Sequence, residues 1–149
     1  MQWLPEYISS AKSWLPMHPN YKIKNVQNQL NEMNSHLNVF IDLVKLRKNA
    51  STLQWGALNF VKVEEKIFSF TRTAYDFPTY LVVMNFSEEN INTNLLVGTD
   101  IAPRAYVALY IPGKSSDETH AYEKGEPVLT KNVSLKAYDC LILTWHSTN

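Results

Sequence analysis

TYLVVMNF, Thr79 to Phe86, is a near-continuous apolar run of strand length, closed by Pro78 in front and Ser87 behind. Its valines, tyrosine and phenylalanine favour a pleated surface, and the run is shorter than the ~10–12 residues of a buried helix. It reads as a strand covered on one face and partly covered on the other. Its neighbours have the same character. ALNFVKV (Ala57–Val63) and KIFSFTRT (Lys66–Thr73) flank Glu64–Glu65, a short hairpin connection. RAYVALYI (Arg104–Ile111) and DCLILTW (Asp139–Trp145) are further strands, with weaker ones over Thr93–Val97 and Val128–Leu135. About seven or eight strands at this spacing predict a mainly β, antiparallel sandwich. Pro112–Pro127 is a polar, exposed loop.

Upstream of Thr52 the pattern changes. In NSHLNVFIDLVKLRKN, Leu37, Phe40, Ile41 and Val44 recur at helical spacing. Ser35 or Asn34 is the expected N-cap, and Lys45, Arg47 and Lys48 suit the negative end of the helix dipole. The spacing predicts one helix, Ser35–Lys48, with a wide apolar face. The first 33 residues read as an irregular arm, broken by Pro5, Pro16 and Pro19.

Composition narrows the function classes. Of 149 residues, 45% are hydrophobic and 19% charged, which fits a globular chain with a core. A formal net charge of zero offers no basic field for nucleic acid. No stretch approaches the ~18 apolar residues of a membrane-spanning helix, and the first residues do not resemble a signal peptide. Cys140 stands alone, so no internal disulfide or cysteine metal site is expected; in its apolar setting it reads as a small buried hydrophobe. His18, His36, His120 and His146 have no metal-ligand spacing, and four scattered glycines make no phosphate loop. Neither a metal nor a cofactor is expected. Three N-x-[ST] triplets, at Asn49, Asn85 and Asn132, are possible glycosylation sites and weak pointers to a secreted parent.

The order of the pieces resembles the C-terminal portion of the maltase-like α-glucosidases of glycoside hydrolase family 13, in the α-amylase superfamily. That group also includes the heavy-chain ectodomains of amino acid transporters. The resemblance is carried by MQW (Met1–Trp3), WLPMHPNY (Trp14–Tyr21), IDLVKLRKN (Ile41–Asn49), LQWGALNF (Leu53–Phe60), IFSFTRT (Ile67–Thr73) and YLVVMNFS (Tyr80–Ser87). It fades after about Val97. It implies that residues 1–50 are the last loop and last helix of a (β/α)8 barrel. Residues 51–149 would then be the antiparallel Greek-key β-sandwich that follows such a barrel. A barrel takes about 250 residues, so the resemblance implies a fragment, with the missing barrel as its intramolecular partner and Trp3 and Trp14 packed on it. The parent would be secreted or anchored outside the cell.

The family cleaves α-glucosidic bonds with two carboxyl groups about 5 Å apart and a third assisting, all on barrel strands upstream of the matched region. None of the fourteen carboxylates here sits in an Asn-His-Asp or Arg-x-Asp context, Leu4 replaces the aspartate of the Met-Gln-Trp-Asp turn, and His18 stands where the family has asparagine. No catalytic residue is expected in this chain, and an α-glucoside would be bound only by the full-length parent. Two rivals remain. One is a noncatalytic transporter heavy chain. The other is a free-standing binding module in which Trp55, Tyr75, Phe77 and Tyr80 form a sugar-stacking platform. Against that platform, Trp55 and Tyr80 read as core or interdomain packing and Tyr75–Phe77 as a hairpin turn.

Overall fold

A computed structural model describes Leu4 and residues 18–96, 100–113 and 122–146. The arm motifs containing Trp3 and Trp14, and His120 in the polar loop, lie outside the described residues. The chain divides into two compact units, Met1–Leu46 and Arg47–Asn149.

The first unit is more regular than its prolines predict. A 3₁₀ turn at Pro19–Lys22 leads into α1, Val26–Asn31. Side-chain caps hold both, His18 at the 3₁₀ turn and Asn25 at α1. Asn25, fully buried, caps α1 by accepting from the Asn28 N–H at 2.9 Å and donates to the Tyr21 and Lys22 carbonyls. The prolines exclude a long helix but leave room for short capped ones, because Pro19 stands at the first position, where its missing N–H is no loss. Helix α2 spans His36–Lys48. Ser35 caps it, its Oγ accepting from the Asn38 N–H at 3.2 Å. None of the α2 residues is buried, and Phe40 is exposed.

The second unit opens with α3, Ser51–Trp55, which no periodicity announced. It is pinned from its buried side. Thr52 donates its hydroxyl to the Pro78 carbonyl at 2.7 Å, and Gly56 passes so close that a Cβ there would lie 2.5 Å from the Thr52 oxygen and 2.7 Å from the Thr73 oxygen.

Eight strands follow among the described residues: β1 Ala57–Val63, β2 Ile67–Thr73, β3 Thr79–Asn85, β4 Ile91–Thr93, β5 Arg104–Ile111, β6 Pro127–Leu129, β7 Val133–Leu135 and β8 Cys140–Trp145. The expected strand Val128–Leu135 is really two, because Thr130–Asn132 turns the chain between β6 and β7. All pairings are antiparallel. Six strands form one sheet in the order β1-β2-β3-β8-β5-β6, while β4 and β7 pair separately. The mainly β, antiparallel expectation is met, with layers of unequal size.

Register sorts the large sheet into two faces. On the inner face Leu81, Val83, Val107, Leu141 and Leu143 are sealed, and Leu95, Val133 and Leu135 join them in one hydrophobic cluster with the smaller sheet. Each fully buried leucine contributes about 1.5–3 kcal/mol. The outer face is nearly as apolar. Its rows run Phe60–Phe70–Val82–Ile142–Leu109 and Leu58–Arg72–Tyr80–Thr144–Tyr106 across five strands. Ile142 is buried, yet Phe60 is 65% exposed and Tyr106 48% exposed. Phe68 joins the face, its ring 5.8 Å from Phe60 and 5.7 Å from Phe70.

Candidate functional site

Among the described residues a concavity opens on the outer face, where the ends of β3, β5 and β8 meet. It measures about 750 Å³ and is lined by Pro78, Tyr80, Ala102, Pro103, Arg104, Tyr106, Thr144, Trp145 and His146. Strand pairing builds it: Tyr80 and Tyr106 both sit opposite Thr144, one from each side, so the two phenol rings bracket a small residue. The Thr144 hydroxyl turns away to donate to the Thr79 carbonyl at 2.9 Å. Trp145, which belongs to the core cluster, also contributes to the lining. Arg104 and His146 are exposed at the rim. Arg104 has no ion pair or side-chain hydrogen bond among the described residues.

A second arginine stands on the same face, in the row of Tyr80, Thr144 and Tyr106. Arg72 lies beside Tyr80, and its Nε is buried with no hydrogen-bond acceptor. Leaving such a donor unpaired costs about 1–3 kcal/mol. Sequence reading passed over Arg72, because one arginine in a strand carries no pattern of its own.

The four aromatics proposed as a platform are not brought together as one. Trp55 and Phe77 meet edge to face at 5.4 Å between centroids, with Trp55 60% exposed, and Tyr75 is exposed in the β2–β3 turn. Tyr80 belongs to the cleft instead. Trp55, the last residue of α3, is therefore not a core residue of this chain, which corrects the core half of that expectation and leaves interdomain packing as the other.

Asp139 is the other residue that sequence did not single out. It is buried at the head of β8, where one carboxylate oxygen accepts from the Gly113 N–H at 2.7 Å and the other from the Tyr110 hydroxyl and the Lys136 N–H, both at 2.8 Å. Burial, and then Asp139, hold the Tyr110 phenol far above its ordinary value. Next to it, burial first and the Asp139 charge second push the Cys140 thiol up to about 11. This is a clasp joining two chain segments, the end of β5 with Gly113 and the turn from Lys136 into β8.

The remaining candidates are scattered. His18 caps the Pro19 turn, accepting from the Asn20 N–H, and His36 begins α2. No group of metal-ligating side chains occurs among the described residues. Asn49 and Asn132 are exposed. Asn85 is only 2% exposed; its Nδ2 donates to the Glu89 and Lys136 carbonyls at 2.7 and 2.8 Å, and its Oδ1 accepts from Ser87. The amide nitrogen that would carry a glycan is spent inside the fold.

Residues 1–56 match the family model for the α-amylase catalytic domain. Maltase A2 of Drosophila melanogaster is 24% identical over 97% of this chain and 25% of its own length. Maltase 1 of Drosophila virilis is 26% identical over 96% of this chain and 22% of its own. The chain belongs to the α-amylase superfamily. Oligo-1,6-glucosidase of Halalkalibacterium halodurans is 38% identical over 53% of this superfamily member and 14% of its own length. Among solved structures, an isomaltulose synthase mutant from Erwinia rhapontici in complex with sucrose aligns with a TM-score of 0.74 at 23% identity. It covers 98% of this chain and 24% of that enzyme. An isomaltulose synthase from Klebsiella aligns over 96% and 24% of the two chains, with a TM-score of 0.73 at 22% identity. The fold is shared with these enzymes, and the chain spans a quarter or less of its maltase relatives.

Proposed function

We propose that this chain is the C-terminal part of a maltase-like α-glucosidase and acts there as a noncatalytic, stabilising segment. In this reading residues 1–50 are the last loop and helix of a (β/α)8 barrel, and residues 51–149 a Greek-key β-sandwich that covers it. The parent would hydrolyse α-glucosidic bonds with carboxylates supplied upstream, outside the cell, with Asn49 and Asn132 as the sequons open to glycosylation. The observation that carries the reading is the two-sided sheet: an apolar outer face in a chain that aligns almost throughout with one quarter of longer enzymes. The catalytic-domain match over residues 1–56 supports the same division.

The test is the size of the native polypeptide, from a denaturing gel and peptide mapping of material from the source organism. Peptides upstream of Met1, including strand-end carboxylates, are the expected result. A native chain of 149 residues, or upstream sequence without those carboxylates, would overturn the hydrolase reading.

A further inference from the structure

The outer face carries a charge pattern that its apolar character hides. None of its strand positions, from Leu58 on β1 to Leu129 on β6, holds an aspartate or glutamate. Its two charged groups are Arg72 and Arg104, and neither has an ion pair among the described residues. Arg72 in addition keeps a buried, unsatisfied Nε. An isolated cation on an apolar surface is unfavourable unless an acceptor arrives with whatever covers it.

We propose that this face seats a folded body of the same polypeptide, an apolar surface bearing carboxylates, and that Arg72 and Arg104 each take one of those carboxylates and so fix the register of docking. The proposal rests on the fragment reading above and adds the chemistry of the contact. Arginine suits the task, since its planar guanidinium pairs with a carboxylate through two parallel hydrogen bonds. The cleft between Tyr80 and Tyr106 gives the docking body a socket between the two cations. A second copy of this chain is a poor occupant, because an isologous contact presents the same patch from both sides and brings arginine towards arginine. A neutral sugar would fill the cleft but leave Phe60 and its row uncovered and both charges unanswered.

The experiment is arginine modification with phenylglyoxal, read site by site by peptide mass spectrometry. It is run on the native polypeptide, on the 149-residue chain alone, and on that chain in urea as the fully reactive reference. In a long native polypeptide, Arg104 should react about tenfold more slowly than in the chain alone, a factor equivalent to ~1.4 kcal/mol, and Arg72 should also be protected. In that polypeptide Arg104→Glu should lower the melting temperature more than Arg104→Lys. Equal effects, or an Arg104 as reactive as in the chain alone, overturn the proposal while leaving the fragment reading intact. A native polypeptide of 149 residues that is monomeric overturns both. A tight dimer of the chain with both arginines protected overturns the proposal by making a second copy the occupant.

Discussion

The two faces of the six-stranded sheet are built from the same kinds of residue and end in different states. Leu81 and Val83 point inward and are fully sealed, while Val82 and Met84, between and beside them, point outward and keep partial exposure. A near-continuous apolar strand thus signals demand for cover on both sides, and the smaller β4–β7 layer meets only one of those demands. The alternation of burial along β2 and β3 measures that asymmetry residue by residue.

Truncation is the strongest way to break the comparison. Leu143→Ala on the inner face should cost about 2–5 kcal/mol in urea denaturation, through lost burial and a cavity. Phe60→Ala on the outer face should cost under about 1 kcal/mol, since most of that ring is already wet. Equal losses would mean that the outer face is sealed in solution.

Asp139→Ala should cost about 3 kcal/mol, because it strands the Tyr110 hydroxyl and two backbone donors. Asp139→Asn, which keeps one acceptor, should cost less. Comparing the two in the same denaturation series isolates the clasp from the packing around it. Gly56→Ala should come next, lowering stability by about 1–3 kcal/mol, since the backbone oxygens it meets cannot yield as a flexible side chain would. Calorimetry on the two proteins checks it.

The smallest effect sharpens the picture of the outer face. Cys140 sits there on a central strand, opposite Met84, and its thiol is raised to about 11. Exposure on that face rises outward from the buried Ile142 to Phe60 and Tyr106. Alkylation at pH 8 should be slow and should accelerate towards pH 11. The sign for stability follows: the unfolded chain releases this proton first, near the ordinary thiol value of ~8.5. The stabilisation is whole below that pH and is lost as pH climbs to about 11. Cys140→Ser should flatten that part of the stability–pH curve; an unchanged slope would assign it to tyrosines.

The long strands were legible because the chain repeats one signal, a short apolar run between turn-formers; the expected strand Thr93–Val97 was not, since β4 spans Ile91–Thr93 and residues 94–96 leave the sheet. β1 and β5 begin and end where Ala57–Val63 and Arg104–Ile111 were read. Helix α2 was legible from its period of about 3.6 residues. Short elements were not. The six residues of α1 and five of α3 are too few to show a period, and each is held by a contact distant in sequence or by a cap that looks like any asparagine. The cleft was half visible: Tyr80 was noticed as an aromatic, but its partners Tyr106 and Arg104 arrive through the β5–β8 pairing, which no local pattern encodes. Arg72 and Asp139 matter through what surrounds them, and one sequence lists residues without their surroundings.

The buried amide of Asn85 has a consequence in time. A sequon whose nitrogen is engaged by two carbonyls can be modified only before β3 closes against the Lys136 turn. Wherever oligosaccharide transfer acts on the emerging chain, sugar at Asn85 and the native strand exclude one another. The modification at that position would then be a clock, separating chains that folded quickly from those caught open.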